Sequence, residues 1–178
     1  AYKVMLGLLD HPDFIWIPIS LEEILRVSGM VGLSQKEGLF STKTLGKSGV
    51  TSDDLLFMGI EVNSQTININ LLPIEVKVGI NSSVENKAIN QVKHTSKILN
   101  EFLTEENENE FMRNYYINLF ISIMVTNLNK MISSNLYTKY DEIKLHNIIN
   151  KLKAGEFIIN NNIVDYYGDG VVFKFTEG

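Results

Sequence analysis

At 178 residues the chain is long enough to bury one hydrophobic core and too short for two ordinary domains. It contains no cysteine, which excludes a disulfide framework, thiolate catalysis and a thiolate zinc site. Its net charge of −5 runs against the basic balance usual in a nucleic-acid binder, unless a longer parent protein supplies the basic surface.

No apolar run approaches the ~20 residues of a membrane span, and the start lacks the charged and apolar regions of a signal peptide. A cytoplasmic setting with no membrane partner is therefore expected. The chain begins with Ala1 and ends at Gly178 without terminal signals, and is expected to be one domain (1–178) excised from a longer protein.

Val4 to Leu9 reads as a short buried strand, Asp10 to Asp13 as a turn, and Phe14 to Ile19 as a second short strand. Pro18 places that second strand at an edge or an end. Ser20-Leu21-Glu22-Glu23 has the capping-box pattern, with Ser20 as N-cap and Glu23 reaching back to it. A helix follows to about residue 27 or 30, with Leu21, Ile24 and Leu25 facing inward. Residues 32–50 are rich in Gly, Ser, Thr and Lys and read as a loop. Lys36, Lys43 and Lys47 in that loop suit a phosphate backbone, or an ordinary solvated connection. Gly46-Lys47-Ser48 ends like a phosphate-binding loop, but Ser41 stands where the first glycine is required.

Thr51 to Gly79 organises the rest. Leu55 to Val62 and Thr66 to Val78 read as two strands joined at Asn63-Ser64-Gln65. Strand side chains alternate faces, so Glu75 and Lys77 share one face and Ile74, Val76 and Val78 the other. The hairpin brings Asp54, at the mouth of the first strand, laterally near Glu75. Two carboxylates converging beside an ammonium are costly unless a cation or substrate completes the cluster. Mg²⁺, or Mn²⁺ in its place, suits such oxygen ligands together with substrate phosphate. Lys77 is then placed to orient a water or to stabilise charge on the phosphate. Asp53 stands beside Asp54 as the alternative ligand. The competing reading is a strand with one solvated polar edge.

Val84 to Leu103 has helical periodicity, with Ala88, Ile89, Val92, Ile98 and Leu99 in its stripe. Residues 104–110 form an acidic run leading to a long apolar helix from Phe111 to about Met131, at whose start Arg113 is a candidate phosphate contact. Tyr140 to Leu152 is a further amphipathic helix. Phe157 to Ile159 and Val171 to Phe175 read as a terminal hairpin or pair of strands, with Asp169-Gly170 as a turn.

The pattern Asp54…Glu75-Val76-Lys77 resembles the PD-(D/E)XK, or restriction-endonuclease-like, nuclease superfamily. The resemblance covers about residues 20–103, with 104–178 as elaboration. It implies an α/β sandwich, a central mixed β-sheet flanked by helices, and Mg²⁺-dependent hydrolysis of DNA. It also implies that Asp54, Glu75, the Val76 carbonyl and Glu23 serve the metal, that Lys77 is catalytic, and that Gln91 on the following helix contacts substrate or water. Gln91 matches a Gln-x-x-x-Tyr motif only in part, because Thr95 fills the last place. SLEEILRVSG, GLFS, TSDDLL and PIEVKVG, in that order, are similar to the nuclease region of HerA-type ATPases in phosphorothioate-dependent restriction, a bacterial antiphage defence. That similarity implies DNA and an ATPase or translocase as partners, with a dimer among the assemblies to be tested. A second class stays open, a nuclease-like docking module without activity.

Overall fold

The structure, a computed structural model, describes residues 2–9, 11–21, 55–61, 66–79, 83–103, 110–136, 141–160 and 163–176. Glu22, Glu23, Lys36, Lys43, Lys47, Asp53 and Asp54 lie outside the described residues, as do residues 62–65 at the expected hairpin tip.

Among the described residues a mixed five-stranded open sheet flanked by helices forms the centre. β1 (Phe14–Ser20), β2 (Leu55–Glu61) and β3 (Ile67–Val78) make an antiparallel meander. β4 (Phe157–Asn160) and β5 (Val171–Phe175) both lie parallel to β3, against successive segments of its other edge. Pro73 falls between the segments that β4 and β5 pair, and is itself paired only with Leu56 of β2 among the described residues. The paired reading of the last two strands therefore gives way. They do not pair with each other but each extends β3, and a short helix, α5 (Val164–Tyr167), separates them. Pro18 does lie in a terminal strand of the sheet, as expected.

The opening segment is α1 (Tyr2–Leu8), a helix and not a strand. Met5 and Leu9 are buried while Val4 and Leu8 face solvent, so the apolar run serves two helix faces at i, i+4 spacing.

The sheet carries a different core on each face. Ile15, Ile17 and Ile19 of β1, with Leu56, Met58 and Ile60 of β2, meet the long helices. Those helices are α2 (Ser83–Leu103), α3 (Glu110–Ser133) and α4 (Glu142–Lys153). Trp16, Phe57, Leu72 and Ile74 meet Met5 of α1 and Ile163 on the opposite face. Glu61 ends β2 on that second face and accepts hydrogen bonds from the side-chain amides of Asn68 (2.9 Å) and Asn70 (3.2 Å). The two amides solvate a carboxylate that would otherwise border the core.

α3 exposes a single stripe at Asn114, Asn118, Ser122 and Thr126. Three of these side chains bond the carbonyl one turn back. The rest of its circumference is largely covered, as its apolar run predicts. Arg113 donates from Nη2 to the Leu103 carbonyl (3.2 Å), closing the end of α2. α4 begins at an N-cap, Asp141, which accepts from the Ile143 backbone N–H. Ile89 and Ile143 fall outside their helices' inward stripes, at 38% and 78% exposure. No described helix is long and apolar enough to cross a membrane.

Gly59 of β2 lets Trp16 lie flat across the sheet. A Cβ there would stand 2.7 Å from Cζ3 of the Trp16 ring. Gly59→Ala is expected to cost about 2 kcal/mol through overpacking. Trp16 is the chain's single tryptophan, so its fluorescence, followed through urea unfolding, reads both the shift in midpoint and the change in ring environment.

Candidate active site

β3 outruns β2. Their ladder ends at Leu55↔Ile74, so Glu75 to Val78 project past the last described residue of β2. On the other side β5 continues to pair, matching Glu75 with Val172, Val76 with Phe173 and Lys77 with Lys174. Residues in register on neighbouring strands share a face, and along a strand the faces alternate. Ile74 and Val171 pack into the α1 side of the sheet. Glu75, Lys77, Val172 and Lys174 therefore belong to the α2 side.

Glu75 is 1% exposed, which removes the solvated-edge reading for this residue. Lys77 Nζ donates to Glu75 Oε1 and forms an ion pair with it. The lysine side chain keeps 25% of its surface in contact with solvent, while the side chain of Glu75 keeps 1%. A buried carboxylate held by a partly exposed lysine is a strong local field, and it lies at the end of a rigid central strand. Val76 is half-buried with its side chain toward the other face.

α2 runs back along β3 over this face. Its first turn carries Glu85, whose Oε2 lies 3.5 Å from Lys174 Nζ. Two turns later Val92 lies against Gly170, which also lies against Pro73, two residues before Glu75 on β3. Gln91 precedes Val92, and its Oε1 is buried without a hydrogen-bond partner. Gln91 is thus no solvated helical glutamine. An unpartnered buried acceptor is costly and fits a donor that arrives with a ligand. Lys87, Lys93 and His94 on the same helix are exposed.

No family model, no curated protein and no solved structure matches the chain.

Of the six residues expected to form the site, the structure describes Glu75, Val76, Lys77 and Gln91, and places Glu75 and Lys77 in direct contact. Asp54 and Glu23 lie outside the described residues. Among the described residues no three His, Asp or Glu side chains converge as a metal-binding group. Sequence reasoning missed Lys174 and Glu85. The alternation of Val171-Val172-Phe173-Lys174-Phe175 sets Lys174 apart from Val171 and Phe173, but only the parallel register with β3 brings it beside Lys77. An open depression of about 400 Å³ on α4, bordered by Glu142, Ile143 and His146, lies away from this cluster and holds no such ion pair.

Proposed function

We propose that the chain is a metal-dependent deoxyribonuclease whose reacting centre is the end of β3. The observation that carries this is the Glu75–Lys77 pair, a 1%-exposed carboxylate bound by a lysine whose side chain is 25% exposed, on the last residues of the central strand. The reading rests also on the resemblance of Asp54 and Glu75-Val76-Lys77 to the PD-(D/E)XK pattern.

The donor chemistry fits Mg²⁺. Carboxylate oxygens of Glu75 and Asp54 and the Val76 carbonyl are hard ligands, and Glu23 supplies another oxygen nearby on the resemblance. When bound, the ion would polarise the phosphate and make the attacking water more acidic. Glu75 anchors the charge balance of the site. Lys77 offsets negative charge that grows on the phosphate oxygens as water attacks. Gln91 offers its unpartnered Oε1 to a proton of the attacking water. In the reaction a water oxygen bonds to phosphorus and one P–O ester bond breaks. A phosphomonoester and a free hydroxyl result. The restriction setting, with an ATPase or translocase partner, belongs to the same proposal.

Asp54 is taken as the ligand, with Asp53 in reserve. Asp54 precedes Leu55 and Glu75 follows Ile74, so one further step of the Leu55↔Ile74 register would pair Asp54 with Glu75. The alternation of faces would then turn Asp53 to the α1 side. Asp54→Asn and Glu75→Gln are each expected to weaken Mn²⁺ binding at least tenfold by calorimetry, while Asp53→Asn keeps it within about twofold. Loss of binding in Asp53→Asn but not Asp54→Asn would reverse the assignment. Absence of Mn²⁺ binding in the unaltered protein would favour the docking module, to which the net charge of −5 is better suited.

A further inference from the structure

Lys77 and Lys174 are register partners on parallel strands β3 and β5. Like charges set directly opposite one another destabilise a sheet. The fold accommodates them by giving each its own carboxylate, Glu75 for Lys77 and Glu85 for Lys174. The two pairs differ in kind. Glu75 is buried and fixes Lys77 in place. Lys174 and Glu85 are 27% and 54% exposed and stand 3.5 Å apart, a solvated pair of the sort that contributes about 0–1 kcal/mol. Glu85 has a second reason for its position, since a negative charge in the first turn of α2 is favourable without any lysine. Lys174 can therefore leave it for a better acceptor without stranding a buried charge.

Neighbouring strands lie about 4.8 Å apart, so the two lysines rise from backbone positions one strand spacing from each other on the same face. A single phosphate at Lys77 leaves the second cation unused. A chain of phosphates engages both. We propose that Lys174 is a second phosphate-binding residue, holding the backbone phosphate next to the one presented to Lys77, with Glu85 as the acceptor it releases on binding. The inference rests on the nuclease reading for its ligand, a nucleic-acid backbone. It adds the residue that sets the strand's register on the site.

The test is the binding of a short DNA duplex to the full chain by fluorescence anisotropy, without Mg²⁺ so that cleavage does not intervene, over a range of salt. Lys174→Gln is expected to weaken binding about tenfold at ~0.1 M salt and to lower the log–log salt slope by ~0.9, one phosphate contact. Lys174→Arg should retain most of both. Glu85→Gln should tighten binding. That gain should vanish in the Glu85→Gln/Lys174→Gln double variant, because the carboxylate competes through Lys174. A bridge serving only to join α2 to β5 would shift the urea midpoint in these variants and leave affinity and slope unchanged, which overturns the proposal. So does a Glu85→Gln gain that persists undiminished without Lys174. A protein that binds DNA with these effects but never cuts it sinks the nuclease reading and keeps this one. A protein that cuts DNA while Lys174→Gln keeps wild-type affinity and slope does the reverse. No binding at all overturns this inference.

Discussion

Lys77→Ala is expected to lower Mg²⁺-dependent DNA cleavage by about 10²–10³-fold, the usual cost of removing one preorganised charge from a transition state. The same substitution has a second consequence that the buried partner dictates. Lys77 is an ion-pair partner of a carboxylate that is 1% exposed, and its removal leaves that charge with less compensation. A stability loss of about 1–3 kcal/mol is expected in chelator, where no cation replaces the ammonium. Added Mg²⁺ should recover much of it, because a ligand that binds only the folded state stabilises by mass action. The variant should therefore gain more from Mg²⁺ in thermal midpoint than the unaltered protein does, while staying inactive. Cleavage at the wild-type rate would remove Lys77 from the mechanism. A stability loss unaffected by Mg²⁺ would separate the ion pair from any metal role.

Gly170→Ala should be the most destabilising single methyl addition among the described glycines. Gly170 has φ +147°, a conformation that side chains disfavour. A Cβ there would stand 2.5 Å from the Pro73 carbonyl oxygen and closer still to Val92 Cγ1, so backbone and a buried helix residue both resist it. Strain and overlap together are expected to cost on the order of 3 kcal/mol, read as a fall in the urea midpoint with little change in slope. The displacement would fall where β5 begins, and β5 carries Lys174 beside Lys77. DNA affinity should therefore fall even at temperatures where the variant is folded. A loss below about 1 kcal/mol would mean that β5 shifts freely and that the Lys77–Lys174 register is not held by this contact.

The β2–β3 meander and its polar residues were legible because alternation along a strand is local. Ile67, Ile69 and Leu71 went to one core, Leu72 and Ile74 to the other, and Glu75 and Lys77 fell together on a shared face. α2 and α3 were legible from apolar spacing, and α4 from the same signal with Asp141 at its start. The burial of Glu75 was not. Its neighbours in sequence are a solvent-exposed Val78 and a half-buried Val76, which give no sign of it. The first helix misled because a short apolar run carries no period of its own, and burial of Met5 and Leu9 against Trp16 and Phe57 decided it. Asp169-Gly170 reads as a hairpin turn by composition, yet β5 passes to β3 and not back to β4. Parallel pairing is non-local, and with it the approach of Lys174 to Lys77 was hidden from the sequence.

The central claim is that the end of β3 hydrolyses DNA with a divalent cation. Supercoiled plasmid incubated with the purified chain, in Mg²⁺ or Mn²⁺ and again in chelator, tests it most directly, beside Asp54→Ala and Lys77→Ala. The account predicts nicked or linear DNA only with metal and only from the unaltered protein. Cutting that survives both substitutions would place the chemistry elsewhere in the chain. Absence of cutting together with absence of Mn²⁺ binding would contradict the nuclease account and leave the docking module in its place.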